Sequence, residues 1–307
     1  MRFDYVDTGS IRLHVASVGD PSKPLIVCLH GFPEYWIGWK DVAERLADDF
    51  HVVLPDQRGY NLSGKPSGVE RYRVKHMVAD LDALAQRLSP GRPFILAGHD
   101  WGASVAYAYA IAHPERLTHL VVANGPHPWT FQTAILDDPE QRAASQYMNR
   151  LREPGMAERL AENDFARLDR MFSGFSATDW MSDAMRSGYH EAWGKEGALD
   201  AMLNWYRASP VVVPAPGETA PETMITRLAP ESFVVKVPHL LLWGQADTAL
   251  RPSCMADLQR FAPKLEQRPV QGAGHWILHE KPDEVAAAIR DFVAQMTFTV
   301  APICTRS

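Results

Sequence analysis

Phe94-Ile95-Leu96-Ala97-Gly98-His99-Asp100-Trp101-Gly102-Ala103-Ser104 holds the fold in miniature. Four apolar residues without a charge read as a strand covered on both faces. A Gly-x-Asp-x-Gly turn follows at once, and Trp101 to His113 continues as a helix opened by small residues. Strand, glycine-flanked turn and helix in direct succession form the setting of a nucleophile elbow. There, a strained turn lifts one side chain above the end of a sheet, and close packing beneath it leaves no room for a Cβ. The elbow position is Asp100. An Asp ahead of a helix can also serve as an N-cap, so the rest of the chain has to decide its role.

The same rhythm extends outward on both sides. Upstream, Ile11 to Val18 alternates like a half-buried strand, and Leu25 to Leu29 and Val52 to Leu54 are short buried runs. Helical patterns occupy Lys40 to Ala47 and Val74 to Leu88, the latter with Val74, Met77, Val78, Leu81, Leu84, Ala85 and Leu88 on one face. Downstream comes one more strand, Leu117 to Val122, and then the alternation stops. From about Trp129 to Glu231 only helical segments and loops occur; Val211 to Val213 sits among prolines and reads as loop. The rhythm resumes with His239 to Trp243, a helix over Pro252 to Phe261, a strand over Leu265 to Val270 and a helix over Pro282 to Gln295. Strands alternating with helices imply a mostly parallel sheet covered on both faces. The expected organisation is one α/β core, residues 1–128 and 233–298, interrupted by a helical cap, residues 129–232, and followed by a loosely held tail, residues 299–307.

Composition narrows the function. The chain has 307 residues, of which 46% are hydrophobic and 22% charged, ordinary for a globular protein and enough for a sizeable core. Lys and Arg number 31 against 37 Asp and Glu, a net charge of −6 with no basic stripe, so a nucleic-acid surface is not expected. Cys28, Cys254 and Cys304 are odd in number and far apart, which disfavours a disulfide framework or a thiolate metal site and fits a reducing, cytoplasmic compartment. No signal-peptide core and no apolar run of spanning length is visible, so no membrane association is expected either.

Three further motifs complete the elbow. Leu29-His30-Gly31-Phe32-Pro33 lies at a strand's carboxyl end, where the backbone N–H of Phe32 and that of Trp101 would form an oxyanion hole. Leu240 to Asp247 puts an acid just beyond a buried strand, and Gly272-Ala273-Gly274-His275-Trp276 puts a histidine after the next. The chain order is therefore nucleophile, acid, base: Asp100, Asp247, His275. His279 is the nearest rival base but precedes a helix rather than sitting on the glycine-flanked loop. Asp56, in Pro55-Asp56-Gln57-Arg58-Gly59, reads as a structural residue bonding its own turn.

With these residues in hand, the chain resembles the α/β-hydrolase fold family, and within it the epoxide hydrolases and their dehalogenase cousins. The resemblance rests on His30-Gly31-Phe32-Pro33-Glu34, on Asp56 to Ser63, on Gly98-His99-Asp100-Trp101-Gly102, and on Asp247 and Gly274-His275. It implies a helical lid between the sixth and seventh core strands. It also implies two lid tyrosines that act on an epoxide oxygen: Tyr206, in Asn204-Trp205-Tyr206-Arg207, and Tyr147, seven residues before Pro154 of Glu153-Pro154-Gly155-Met156-Ala157-Glu158.

The choice of Asp over Ser restricts the chemistry. A carboxylate is already ionised at neutral pH and needs no base for its own attack. Attack on an acyl carbon would give an anhydride, whereas attack on an sp³ carbon gives an alkyl ester. His275, oriented by Asp247, would then activate water to hydrolyse that ester. The expectation is an epoxide hydrolase with no cofactor and no metal, acting on a small, moderately apolar epoxide, as a monomer or homodimer. The alternative is a haloalkane or haloacid dehalogenase. It would need indole N–H donors for the halide from Trp101 and one of Trp180, Trp193 and Trp205, or lid arginines Arg150, Arg152 and Arg207 for an anionic substrate. A non-catalytic, ligand-binding member of the fold is a third possibility. Seven methionines in the insertion suit a lid over an apolar pocket, though filling gaps between lid helices accounts for any one of them.

Overall fold

The computed structural model describes residues 1–297; the expected tail at 299–307, with Cys304, lies outside them. Eight strands form one sheet: β1 (Arg2–Asp7), β2 (Arg12–Val18), β3 (Leu25–Leu29), β4 (His51–Pro55), β5 (Phe94–His99), β6 (Leu117–Ala123), β7 (His239–Gly244) and β8 (Leu265–Val270). Their spatial order is β1-β2-β4-β3-β5-β6-β7-β8. Strand β2 runs antiparallel to both β1 and β4, and the pairings from β4 through β8 are parallel.

Period-two alternation divides the buried runs between two cores. In β5, Phe94 and Leu96 enter one apolar cluster, and Ile95 and Ala97 enter the other. Strand β3 does the same with Leu25, Val27 and Leu29 against Ile26 and Cys28. Each face is sealed by helices, which is why these strands carry no polar side. Helices α1 (Lys40–Leu46) and α11 (Pro282–Thr297) cover one face through Val42, Leu46, Val285 and Ile289. Helices α2 (Val74–Leu88) and α3 (Trp101–Ala112) cover the other through Met77, Leu81, Val105 and Tyr109.

Between β6 and β7 lie six helices: α4 (Pro128–Asp137), α5 (Pro139–Ala144), α6 (Gln146–Leu151), α7 (Met156–Gly174), α8 (Asp183–Trp193) and α9 (Ala198–Ala208). Helix α7 is broken where Asn163, Asp164 and Phe165 take left-handed backbone angles. Residues 211–213 form no strand, as the surrounding prolines suggested. These helices hang over the carboxyl ends of the parallel strands, where ligands bind in open α/β sheets. Indole N–H groups tie them down: Trp193 donates to the Pro33 carbonyl at 2.7 Å and Trp205 to the Arg58 carbonyl at 2.9 Å.

Two elements depart from the sequence expectation. Strand β1 has no apolar period because most of it is exposed on both faces; its antiparallel pairing with β2 alone makes it a strand. The helix expected over Pro252 to Phe261 is a 3₁₀ turn, Pro252–Met255, followed by the short α10 (Leu258–Phe261). Asp257, with a φ of 56°, interrupts it.

Candidate active site

The elbow is a strained turn. Asp100 sits at φ 50°, ψ −120°, a region that costs a non-glycine residue about 1–3 kcal/mol and persists only where the surroundings enforce it. They do so here by close approach. A Cβ on Gly102 would collide with the Leu29 carbonyl, so α3 can dock against β3 only with glycine there. The Asp100 side chain does not cap the helix it precedes, to which it makes no hydrogen bond. Instead its Oδ1 accepts the backbone N–H of Phe32 at 2.7 Å, and its Oδ2 faces the Nε2 of His275 at 3.5 Å.

His275 follows β8 on a buried loop, and its Nδ1 bonds the Asp247 Oδ2 at 2.9 Å. Asp247 is fixed in turn. Its Oδ1 accepts the N–H groups of Ala249 and Leu250 at 2.8 and 2.9 Å, and its Oδ2 accepts the Asn124 side-chain amide at 2.6 Å. These donors and the imidazole hold the Asp247 carboxyl below the usual range although burial works against it. Burial likewise disfavours a charged imidazole. The flanking carboxylates of Asp247 and Asp100 more than offset it, and the pKa of His275 is pushed up to about 10.

The seven residues singled out in the sequence meet at one place. Asp100, Trp101, Tyr147 and Tyr206 line a single cavity of about 400 Å³; Phe32 bonds Asp100, and His275 and Asp247 extend behind it. The Tyr206 ring stands edge-on to Phe32 at 5.1 Å and to Trp101 at 5.0 Å, and lies 6.3 Å from the ring of Tyr147. Burial, with the Asp100 charge adding to it, pushes both phenols above their ordinary pKa, so both stay protonated donors at neutral pH.

Sequence reasoning passed over Asn124. It takes a φ of 37° at the end of β6 and bridges two strands, donating to Asp247 while its Oδ1 accepts the Gly244 N–H at 2.8 Å. The signal was the Asn124-Gly125 pair at a strand end, a turn mark that nothing nearby linked to an acid 123 residues later. Glu34 and His99 stood in the quoted motifs without a role. Glu34 is buried and accepts from His279 Nε2 at 2.7 Å, His99 Nδ1 at 3.0 Å and the Tyr189 hydroxyl at 3.2 Å; the other nitrogen of His99 bonds the His275 carbonyl. His279 is thus engaged with Glu34 and stacked on Trp180. Asp56 bonds Asn61 within its own turn, and also His14 and the Trp36 N–H.

Among the described residues no cluster of three or more His, Cys, Asp or Glu could hold a metal ion, and no helix is long and apolar enough to cross a membrane.

Comparison with known proteins agrees with this fold. The model of the alpha/beta hydrolase fold matches residues 24–282. The AB hydrolase superfamily protein YfhM of Bacillus subtilis is 36% identical, over 95% of this chain and 98% of its own. Epoxide hydrolase A of Mycobacterium tuberculosis is 30% identical, over 94% of this chain and 96% of its own. Among solved structures, an epoxide hydrolase of Bacillus megaterium in complex with an inhibitor superposes with a TM-score of 0.85 at 28% identity, covering 95% of this chain and 100% of that one.

Proposed function

The chain belongs to the alpha/beta hydrolase fold family, and from that membership and its site we propose that it is an epoxide hydrolase using Asp100 as nucleophile. The observation that carries the reading is the pair of protonated phenols, Tyr147 and Tyr206, in the same cavity as a carboxylate held at a strained elbow.

Two steps follow from the geometry. With Oδ1 held by the Phe32 N–H, the Asp100 Oδ2 attacks an epoxide carbon. The C–O bond opens, and the departing oxygen takes a proton from Tyr147 or Tyr206, leaving a neutral ester. That ester removes one of the two negative charges raising the His275 pKa, so alkylation itself favours the neutral imidazole needed next. His275 then deprotonates a water that attacks the Asp100 carboxyl carbon. Negative charge collects on Oδ1, where Phe32 N–H and the first N–H of α3, that of Trp101, are the proposed donors. Collapse expels the alkoxide with Oδ2, which takes the proton from the His275 imidazolium to give the diol; water supplies the new carboxyl oxygen, and the carboxyl proton returns to the phenolate left by the first step. The lid spans residues 129–232 in this proposal and carries both tyrosines.

The dehalogenase alternative finds little support. Each indole that could supply a second halide donor is committed: Trp180 to Ser176 Oγ, Trp193 to Pro33 and Trp205 to Arg58. Arg152 donates to the carbonyls of Tyr206 and Val211, and Arg207 to Asp200 and Asn204. None of these arginines, nor Arg150, lines the cavity.

Intact-mass spectrometry tests the mechanism. His275→Gln incubated with styrene oxide should gain the mass of one epoxide, and Asp100→Asn/His275→Gln should gain none. Wild-type turnover of the epoxide without an adduct on His275→Gln would remove Asp100 from the mechanism.

A further inference from the structure

The cavity is longer than an epoxide ring requires. It begins at Asp100 and follows one face of α3, touching Trp101, Ser104, Ala108 and Ile111. Spacings of three and four residues keep these side chains on one stripe of the helix, and ten residues of rise make the stripe about 15 Å long. Among the described residues lining the cavity, Asp100 is the single charged one, and it sits at the reacting end. A charge carried into the remaining length would lose its hydration and meet no counter-ion.

The rim is apolar as well. Val74, Met224 and Leu228 border the cavity and are 44%, 68% and 52% exposed, among the few large apolar side chains left open to water among the described residues. Scattered singly, such residues need no explanation; here three of them gather at the opening of one apolar channel.

We infer that this enzyme takes epoxides bearing one long, uncharged, apolar arm, seated along Trp101, Ser104, Ala108 and Ile111 with its far end reaching Met224 and Leu228. The inference rests on the epoxide hydrolase reading and names its substrate class. The epoxide ring stays with Asp100 and the two tyrosines, and selectivity comes from the apolar surface that the arm removes from water.

The test is a series of unbranched terminal epoxides, from epoxybutane to epoxytetradecane, assayed for diol formation below the critical micelle concentration. Each methylene buried along the stripe should raise kcat/KM about two- to fourfold until the arm reaches the rim, after which the gain stops. A second arm of the test uses epoxy acids. A carboxylate ending a short chain, inside the channel, should lower kcat/KM at least a hundredfold against the methyl-ended epoxide of equal length. A carboxylate on a chain long enough to clear Met224 should be tolerated. Ala108→Phe, which places a ring midway along the stripe, should lower the ratio of long-chain to short-chain kcat/KM at least tenfold. A kcat/KM independent of chain length, or a preference for the short epoxy acids, would overturn the long arm while leaving the epoxide reading intact. Hydrolysis of no epoxide in the series would overturn both.

Discussion

Two carboxylates contend for one imidazole. Asp247 holds the Nδ1 of His275 at 2.9 Å, and Asp100 stands 3.5 Å from its Nε2. In the proposed mechanism a carboxylate nucleophile needs no base for its own attack, so the base is needed only once the ester exists. Asp247→Asn should therefore leave ester formation fast and slow its hydrolysis by roughly 10⁴-fold, since an amide no longer fixes the tautomer or supports the imidazolium. Rapid-quench mass analysis would find the alkyl-enzyme as the accumulating species; free enzyme predominating at steady state would contradict the assignment. In the proposed mechanism the tyrosines act in the other step. Tyr147→Phe or Tyr206→Phe alone should cut the rate of ester formation by about 10²-fold, and the double change should abolish epoxide opening, with the folded enzyme verified by near-UV circular dichroism. Turnover by the double variant at the wild-type rate would exclude them as proton donors.

At the scale of elements, the site depends on how helices are pinned over the sheet. Helix α9 delivers Tyr206 and is fastened by Trp205, whose indole N–H reaches the Arg58 carbonyl at 2.9 Å while its ring packs edge-on against Tyr60. Trp205→Phe keeps much of the apolar contact and leaves that buried carbonyl without its donor. The expected cost is about 1–2 kcal/mol in urea unfolding, with a larger loss in kcat than in KM because the neighbouring phenol is no longer held in register. An unchanged urea midpoint would mean that this bond does not anchor the helix. Helix α3 contributes differently. Its small residues allow contact with β3, and that contact forces Asp100 into its strained turn.

Across the whole molecule, Glu34 joins pieces far apart in the chain. It comes from the loop after β3, His99 from the elbow, His279 from the segment after His275, and Tyr189 from α8. Burial alone would raise the Glu34 carboxyl, but the bonds from His279 and His99 win and hold it well below the ordinary 4.5. A carboxyl depressed in the folded state contributes stability in full above its unfolded pKa, and loses it as pH falls toward the folded value. Glu34→Ala should therefore destabilise the protein by about 3 kcal/mol at pH 7, by urea titration, and the gap to wild type should narrow below about pH 4.5. A gap that stays constant from pH 7 to pH 3.5 would contradict a charged Glu34.

Much of this was legible in the chain itself. The buried runs of β3, β5, β6 and β7 needed no partner to be read, because a strand covered on both faces is apolar along most of its length. Asp100, Asp247 and His275 were legible because each lies just past a strand end, with glycines marking the turns around Asp100 and His275, and turn geometry is local. Strand β1 was not, since its only reason to be a strand is the neighbour it pairs with. Asn124 was not, since its role is a bond to a residue 123 positions away. The commitment of Trp180, Trp193 and Trp205 to other acceptors, and the length and neutrality of the channel along α3, are likewise matters of distance between separate elements. Local backbone preference and apolar periodicity are written residue by residue, so the sequence by itself determined the α/β core and the chain order of the three candidate residues, Asp100, Asp247 and His275. Which donors remain free, and what shape of substrate the cavity admits, depend on contacts across hundreds of residues, and only the tertiary structure decided them.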